Sequence, residues 1–358
     1  MARRDGGRMP TLVRDRMRKV ILAGKVPPGS LLPGLRQLSR EQGAALTTVH
    51  SALRGLVAEG LIAAEPRRGY RVLYGITEDE RNRPVAFVSD QRGRPEEWGS
   101  FSQELLLAFQ GAAQSRGCTV LGAGVEGQEP AATLRQLAGA RAWGALLDGV
   151  SPELAEQVRA SGLPAIMISS VQPCPGLDVI VQDDYQAGML AAEHLISRGH
   201  RRIAWIGPTV RTGHSLARLA GASAALWRSG LEMSPDLKVE TNDATVVPRT
   251  RELLSRPDRP AAVLVLWRDV AVRVAAVARE LGLAPGRDFE MVSLCVAEQY
   301  QRDYRPAFGA WVPPAVTWST RTMADMAISR LAERRSHPEM EVVRILMPVR
   351  LRLPEESQ

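Results

Sequence analysis

In the first seventy residues, apolar positions recur at helical spacing and are followed by two short runs typical of strands. Leu12, Met17, Val20 and Ile21 fall along one side of a helix, with Arg or Lys between them. Pro and Gly residues then punctuate the pattern, and a basic tip separates two short apolar runs. The pattern predicts three helices, over 12–23, 35–42 and 47–59, and a hairpin of two strands, over 61–65 and 70–73.

The third predicted helix begins at a pair of hydroxyl residues. Thr47 is expected to cap its first turn, because a Thr oxygen accepts a hydrogen bond from an unpaired backbone N–H. Val49, Leu53, Leu56 and Val57 are expected to face inward. Three helices followed by a basic hairpin indicate a winged helix-turn-helix.

From Val85 onward, short apolar runs alternate with helical runs. Such alternation predicts parallel sheets covered by helices, an α/β architecture in which ligands bind outside the carboxyl ends of the strands. The predicted strands cover 85–88, 144–147, 164–168, 202–206, 262–266 and 290–294, and the clearest helices cover 105–114, 152–160 and 188–198.

Charge is concentrated at one end of the chain. Residues 1–75 carry 14 Lys and Arg against 5 Asp and Glu, whereas the remainder carries 32 against 34. So concentrated a surplus favours polyanionic partners, of which double-stranded DNA is the commonest. We therefore expect a DNA-binding domain over 9–75, a polar linker over 76–84 and a larger domain over 85–354.

Several function classes find no support in the sequence. No apolar run is long enough to span a membrane, and the Arg- and Gly-rich start lacks the apolar core of a secretory signal. Three widely spaced cysteines without a CxxC argue against disulfides and zinc. No catalytic motif occurs. We expect a cytoplasmic protein that is not an enzyme and holds no metal or cofactor.

The basic end resembles the DNA-binding head of the GntR family of bacterial regulators. The run from Ile21 through PPGSLLPGLRQLSREQG and TTVHSALRGLVAEGLI to RRGYRV carries the resemblance over about sixty residues. The resemblance implies DNA contacts from the second helix, the start of the third helix and the wing tip: Arg36, Thr47, Thr48, His50, Arg67, Arg68 and Gly69. A solvated turn at the wing tip and a merely exposed His50 remain alternatives.

Two positions depart from that family's pattern. Leu46 stands where an Arg often precedes the paired Thr, and His50 stands where another Arg often follows. An Arg reads guanine through two hydrogen bonds, which a Leu cannot make. The half-site sequence is therefore expected to differ from that of typical members.

The larger domain resembles the effector-binding core of the LacI/GalR regulators, which is related to periplasmic sugar-binding proteins and has two lobes. AAEHLISRGHRRIAWIG, ARLAG and PAAVLVLWRDVAVRVAAVARELGL carry the resemblance. It implies that Arg218 bonds the ligand, whereas Asp183 is interpreted as a helix cap. The full set of candidate effector contacts is Ser89, Asp90, Trp98, Phe101, Ser169, Arg218, Trp267, Arg268, Asp269 and Cys295.

The candidate cleft has lost an acceptor and gained a cation. Arg268-Asp269 replaces the family's Asn-Asp, and Cys295 aligns with an Asp that holds sugar hydroxyls. Two arginines would suit an anionic ligand such as a sugar acid or phosphate. A cleft that no longer binds a small molecule is the alternative.

Together the two resemblances describe a hybrid regulator of the arabinose-repressor type. We expect a homodimer that represses a carbohydrate-related operon and responds to a sugar or sugar derivative, including an anionic one. One alternative is a DNA-binding regulator whose larger domain only dimerises or binds a protein. Another alternative is a solute receptor for transport, but the basic head argues against it.

Overall fold

The computed structural model describes residues 8–22, 25–26, 30–59, 61–65, 68–72, 83–89, 96–124, 129–168, 174–208 and 213–354. The chain divides into two compact units. The first comprises Met1–Asp90, Leu106–Ile166 and Ala324–Val342; the second comprises Gln91–Leu105, Met167–Met323 and Val343–Gln358. The expected linker over 76–84 lies outside the described residues except at its last two positions.

The basic head folds as three helices and a two-stranded hairpin. Its elements are α1 (Arg8–Leu22), α2 (Leu35–Gln42), α3 (Leu46–Ala58), β1 (Ile62–Glu65) and β2 (Gly69–Val72). All members of its apolar core lie between Val13 and Val72. Among the described residues, the head thus has a hydrophobic core of its own, as a domain does.

Two turns shape the head. Gly43 ends α2 with φ +59°, a left-handed conformation that costs glycine little, so the chain reverses at once into α3. After α1, the backbone N–H groups of Leu32 and Val72 donate to the carbonyls of Tyr70 and Ser30, at 2.7 and 2.9 Å. The segment around Leu31 therefore pairs with the wing strand, an arrangement that the proline-rich sequence did not reveal.

Helices and strands alternate through the rest of the chain. They are β3 (Val85–Ser89), α4 (Glu96–Gln114), β4 (Val120–Gly124), α5 (Pro130–Gly139), β5 (Gly144–Asp148), α6 (Pro152–Ala160), β6 (Ala165–Ile168), β7 (Asp178–Gln182), α7 (Asp184–Ser197), β8 (Ile203–Pro208), α8 (Gly213–Arg228), a 3-10 turn (Pro235–Leu237), β9 (Lys238–Thr241), α9 (Val246–Leu254), β10 (Ala262–Val265), α10 (Arg268–Glu280), β11 (Glu290–Val296), α11 (Ala297–Phe308), β12 (Ala315–Trp318), α12 (Thr320–Ser336), β13 (Arg344–Met347) and β14 (Arg350–Arg352).

The strands form two six-stranded sheets, in the orders β13-β7-β6-β5-β3-β4 and β14-β12-β11-β10-β8-β9. Neighbours such as β3–β5 and β8–β10 run parallel, and β14 joins its sheet antiparallel to β12. Central strands such as β5 and β10 are buried at every position, as parallel strands covered on both faces must be. The predicted α/β class with parallel sheets is confirmed.

Three local expectations in the head were wrong. The third helix begins at Leu46 after an Ala45 cap that makes no side-chain bond, so Thr47 is not its cap. Val57 is exposed, and so are Leu12 and Val20 on α1. Met17 and Ile21, the other two residues predicted on that side of α1, do join the core, together with Val13 and Leu22. Residues 13, 17 and 21 recur at a spacing of four that keeps them on one face.

Candidate functional site

The candidate DNA-binding face lies on the two helices of the helix-turn-helix. Arg36 on α2 is exposed, and so are Thr47 and His50 on α3, whereas Thr48 is half-buried. The opposite face of α3 packs into the head's core. The structure therefore presents these side chains to solvent, as base contacts require.

The candidate contacts in the wing lie at the start of β2. Gly69 opens β2 with φ +108°, a conformation that L side chains rarely adopt, and nothing lies within 4 Å of where its Cβ would be. Arg68 is exposed beside it, and Arg67 falls outside the described residues. A glycine at this position adopts the positive φ that begins β2 without the strain that a side chain would bring.

The candidate effector site is built where α7 and α8 cross. A Cβ on Gly188 would lie 1.9 Å from the carbonyl oxygen of Arg218, and one on Gly221 would lie 1.9 Å from that of Tyr185. Both helices thus meet backbone to backbone, which only glycine permits. The crossing brings Asp184, in the first turn of α7, against Arg218 on α8.

Asp184 and Arg218 form a buried ion pair. Arg218 is 0% exposed and its Nε donates to Asp184 Oδ1 at 2.7 Å. His214 Nδ1 lies 2.5 Å from Asp184 Oδ2, and Gln182 Nε2 donates to Asp184 Oδ1 at 3.2 Å. Burial raises the pKa of the Asp184 carboxyl, but the charge of Arg218 and the bond with His214 outweigh burial and hold it below its usual range.

Two indole rings lie close to this guanidinium. The Arg218 Cζ lies 4.3 Å from the ring centroid of Trp267 and 5.2 Å from that of Trp318. Its Nη1 and Nη2, together with Trp318 Nε1, are buried and find no hydrogen-bond partner among the described residues. Donors left without acceptors in a buried site are costly, so the site suits a ligand that supplies oxygen atoms.

Arg268 has carboxylate partners of its own. Its Nη2 lies 2.5 Å from Asp269 Oδ1 and its Nη1 lies 3.6 Å from Asp303 Oδ2. Asp303 also accepts from Arg302 at 2.7 Å. Arg218 and Arg268 each have a carboxylate close by, so these two guanidiniums do not by themselves favour an anionic ligand.

Cys295 lies inside β11 and not after it. It belongs to the apolar core of the second unit, where burial raises the pKa of its thiol to about 12. Tyr304, fully buried beside it, shares a hydrogen bond with Ser293 at 2.7 Å between the two hydroxyl oxygens. The structure thus places Cys295 as an uncharged core residue, and ligand contact there stays a prediction.

The remaining candidates are scattered. Ser89, at the carboxyl end of β3, donates to Asp148 Oδ2 at 3.2 Å. Phe101 is half-buried in α4. Asp90 and Ser169 lie outside the described residues, as does the side chain of Trp98.

A pocket of about 510 Å³ opens beside the buried ion pair. This volume is within the range of small-molecule sites. Asp184 and His214 reach its wall, together with Gln182, Asp183, Tyr185, Gly213, Ala217, Arg344 and Leu346. Asp183 accepts the backbone N–H of Gln186 at 2.9 Å, so its interpretation as a helix cap is confirmed.

Comparison with known families assigns both parts of the chain. The profile of periplasmic binding proteins and sugar-binding domains of the LacI family matches residues 94–288, more than half of the chain. The chain belongs to that family. A second profile, of bacterial regulatory proteins of the gntR family, matches residues 11–72. The expected hybrid of a GntR-type head with a LacI-type domain is confirmed, and the chain is a DNA-binding transcriptional regulator.

Individual relatives agree with this assignment. The maltose regulon regulatory protein MalI of Escherichia coli K12 is 26% identical over 267 residues, 70% of this chain and 76% of that protein. Catabolite control protein A of Priestia megaterium is 27% identical over 147 residues, 40% of this chain and 44% of that protein. This chain thus spans less than half of the second relative.

Solved structures share the fold. The CelR–cellobiose complex has a TM-score of 0.63 at 21% identity and covers 90% of this chain and 99% of its own. The lac repressor dimer bound to operator and an anti-inducer has a TM-score of 0.61 at 20% identity, covering 75% and 92%. Within the described residues, no helix of this LacI-type regulator is long and apolar enough to cross a membrane.

Sequence reasoning missed three members of the LacI-type site. Asp184, His214 and Trp318 were not among the candidates, although Asp184 and Trp318 lie against Arg218 and His214 bonds Asp184. The adjacent Asp183-Asp184 was a usable signal, since one Asp suffices for a cap and the second needs another purpose. Nothing in the local sequence marks His214 or Trp318.

Proposed function

We propose that the chain is a ligand-responsive repressor whose LacI-type domain senses a sugar through Arg218. The supporting observation is the pair of unsatisfied guanidinium nitrogens, Nη1 and Nη2, buried close to the rings of Trp267 and Trp318. A sugar supplies the missing acceptor oxygens and an apolar ring face for the indoles. Operator binding is assigned to the head, as a dimer in the cytoplasm.

The charges favour a neutral ligand over an anionic one. Arg218 is paired with Asp184, and Arg268 with Asp269 and Asp303. An incoming carboxylate or phosphate would meet these acids as well as the two guanidiniums. A neutral sugar would accept hydrogen bonds from the unpaired nitrogens of Arg218, and no charge on the ligand would have to be desolvated.

The test measures operator release by sugars with the full chain. An operator selected from random DNA is titrated by fluorescence anisotropy in the presence of cellobiose, maltose, ribose, gluconate or glucose 6-phosphate. We expect one neutral sugar to weaken binding. Arg218→Met should remove that response and keep operator affinity, because the head's core is separate.

A matched control lies on the same helix. Arg228 on α8 pairs with Glu193 and is 63% exposed, so Arg228→Met should respond like the unsubstituted chain. Trp318→Phe, which keeps a six-membered aromatic ring and removes the pyrrole ring with its Nε1, covers the case in which Arg218→Met does not fold. A response to gluconate or glucose 6-phosphate but to no neutral sugar would refute the neutral class.

The alternative is a regulator whose LacI-type domain only dimerises or binds a protein. The complete burial of Arg218 is the observation that favours it. In that case operator binding persists but no compound in the panel changes either operator affinity or the melting temperature.

A further inference from the structure

We infer that Leu46 reads the 5-methyl group of a thymine in each half-site of the operator. The inference deepens the proposed function and rests on its assignment of DNA binding to the head. Leu46 is the first residue of α3 and its side chain is 47% exposed. The first turn of that helix, residues 46–49, reads Leu-Thr-Thr-Val and contains no Lys, Arg, Asn or Gln.

The position of Leu46 is what gives the residue this role. In helix-turn-helix proteins the N-terminal residues of the second helix of the motif meet base edges in the major groove. Here α3 turns Val49, Ala52, Leu53 and Leu56 into the core of the head. The exposed positions at its start are Leu46, Thr47 and His50, and Leu46 and His50 are four residues apart, on one face.

The chemistry of the groove limits what Leu46 can recognise. Base edges in the major groove present hydrogen-bond donors, acceptors and one apolar group, the thymine 5-methyl. A leucine placed against an acceptor or donor would strip it of water and return no bond. Against a methyl group it buries apolar surface on both sides. Leu46 thus selects for thymine where an arginine would select for guanine.

A single exposed leucine is ordinary on a protein surface, and a docking site for another protein is the competing explanation. The neighbours of Leu46 favour DNA. Thr47 and His50 are polar groups able to bond base edges or phosphates, and Arg36 and Arg54 are exposed on the same two helices. A protein-docking surface would instead be expected to continue as an apolar patch.

The experiment replaces thymines by deoxyuridine, which removes the methyl and keeps every hydrogen-bonding group. The operator is selected from random DNA with the full chain, and each thymine is then replaced in turn and affinity measured. We expect one thymine per half-site at which replacement weakens binding about fourfold, the value of one buried methyl, and about fifteenfold when both half-sites change.

Three variants assign the effect. Leu46→Ala should bind the thymine and deoxyuridine operators equally, whereas Leu12→Ala should keep the difference, because Leu12 is an equally exposed leucine on α1. Thr47→Ser removes a methyl and keeps the hydroxyl, and it should also keep the difference. Circular dichroism verifies that each variant folds.

Several outcomes would overturn the inference. They are a flat deoxyuridine scan, a sensitivity that survives Leu46→Ala, or one that disappears in Thr47→Ser instead. Failure of the proposed function looks different, because the full chain would then select no operator at all.

Discussion

Replacing Asp184 by Asn tests whether the buried ion pair holds the second unit together. Asp184 and Arg218 have side chains 6% and 0% exposed and are joined at 2.7 Å. Removing one partner of a buried pair leaves the other charge uncompensated and costs about 3–5 kcal/mol. The exposed pair of Arg228 and Glu193 on the same two helices is worth about 0.2–1 kcal/mol, so Glu193→Gln is the matched control.

The measurement is the free energy of unfolding in urea, at several pH values. Because the folded state lowers the pKa of Asp184, its contribution is complete above the unfolded pKa of about 3.9 and is lost as pH falls through the folded value. The part of the difference between the unsubstituted chain and Asp184→Asn that comes from this carboxylate should therefore be complete at pH 5 and shrink below pH 4.

If Asp184→Asn lowers the free energy of unfolding by less than about 1 kcal/mol, the pair contributes no more than an exposed pair does and the prediction is wrong. A double variant sharpens the result. The double variant Asp184→Leu/Arg218→Met removes both charges. Its free energy of unfolding should be higher than that of Asp184→Leu alone or Arg218→Met alone, because no unpaired charge is left buried. A double variant that loses the sum of the two single effects would show that the two side chains do not interact.

Two further predictions concern packing. Gly221→Ala should lower the melting temperature sharply, because its Cβ would lie 1.9 Å from a backbone oxygen of α7; Gly111→Ala on α4, with nothing within 4 Å, should be neutral or stabilising. Cys295 is buried and its thiol pKa is raised to about 12, so it should not react with Ellman's reagent at pH 8 until the chain is unfolded. If the folded chain has one more rapidly reacting thiol than its Cys295→Ala variant, this prediction is wrong.

The sequence predicted best where local signals decide the backbone. The second helix was predicted with its observed ends, because a Pro-Gly pair precedes it and Gly43 terminates it in a left-handed conformation. The parallel strands followed from apolar runs that are buried on both faces. The start of α3 was misplaced because a Thr pair looks like a cap, whereas the helix begins one residue earlier without one.

The candidate site was predicted only in part, because tertiary contacts assemble it. Asp184 and His214 are thirty residues apart, and they meet because Gly188 and Gly221 let two helices touch. Trp318 reaches Arg218 from the end of β12. A helix pattern does not reveal which of its residues another helix will contact. The sequence could mark Asp184 as a second acid beside the cap, but not its pairing with Arg218, and the positive charge of Arg218 therefore favoured an anionic ligand.

That pairing bears on how a ligand would act. Arg218 is on α8, Trp267 precedes α10 and Trp318 ends β12, so one ligand bonded to the vacant nitrogens would tie three elements of the second unit together. A hydrogen bond to a charged donor is worth about 1.5–3 kcal/mol. Allosteric coupling is typically about 1–3 kcal/mol, and it cannot exceed the ligand's preference for one arrangement over the other. One or two such bonds, made only in the ligand-bound arrangement, are therefore enough to drive the response, and no charge on the ligand is required.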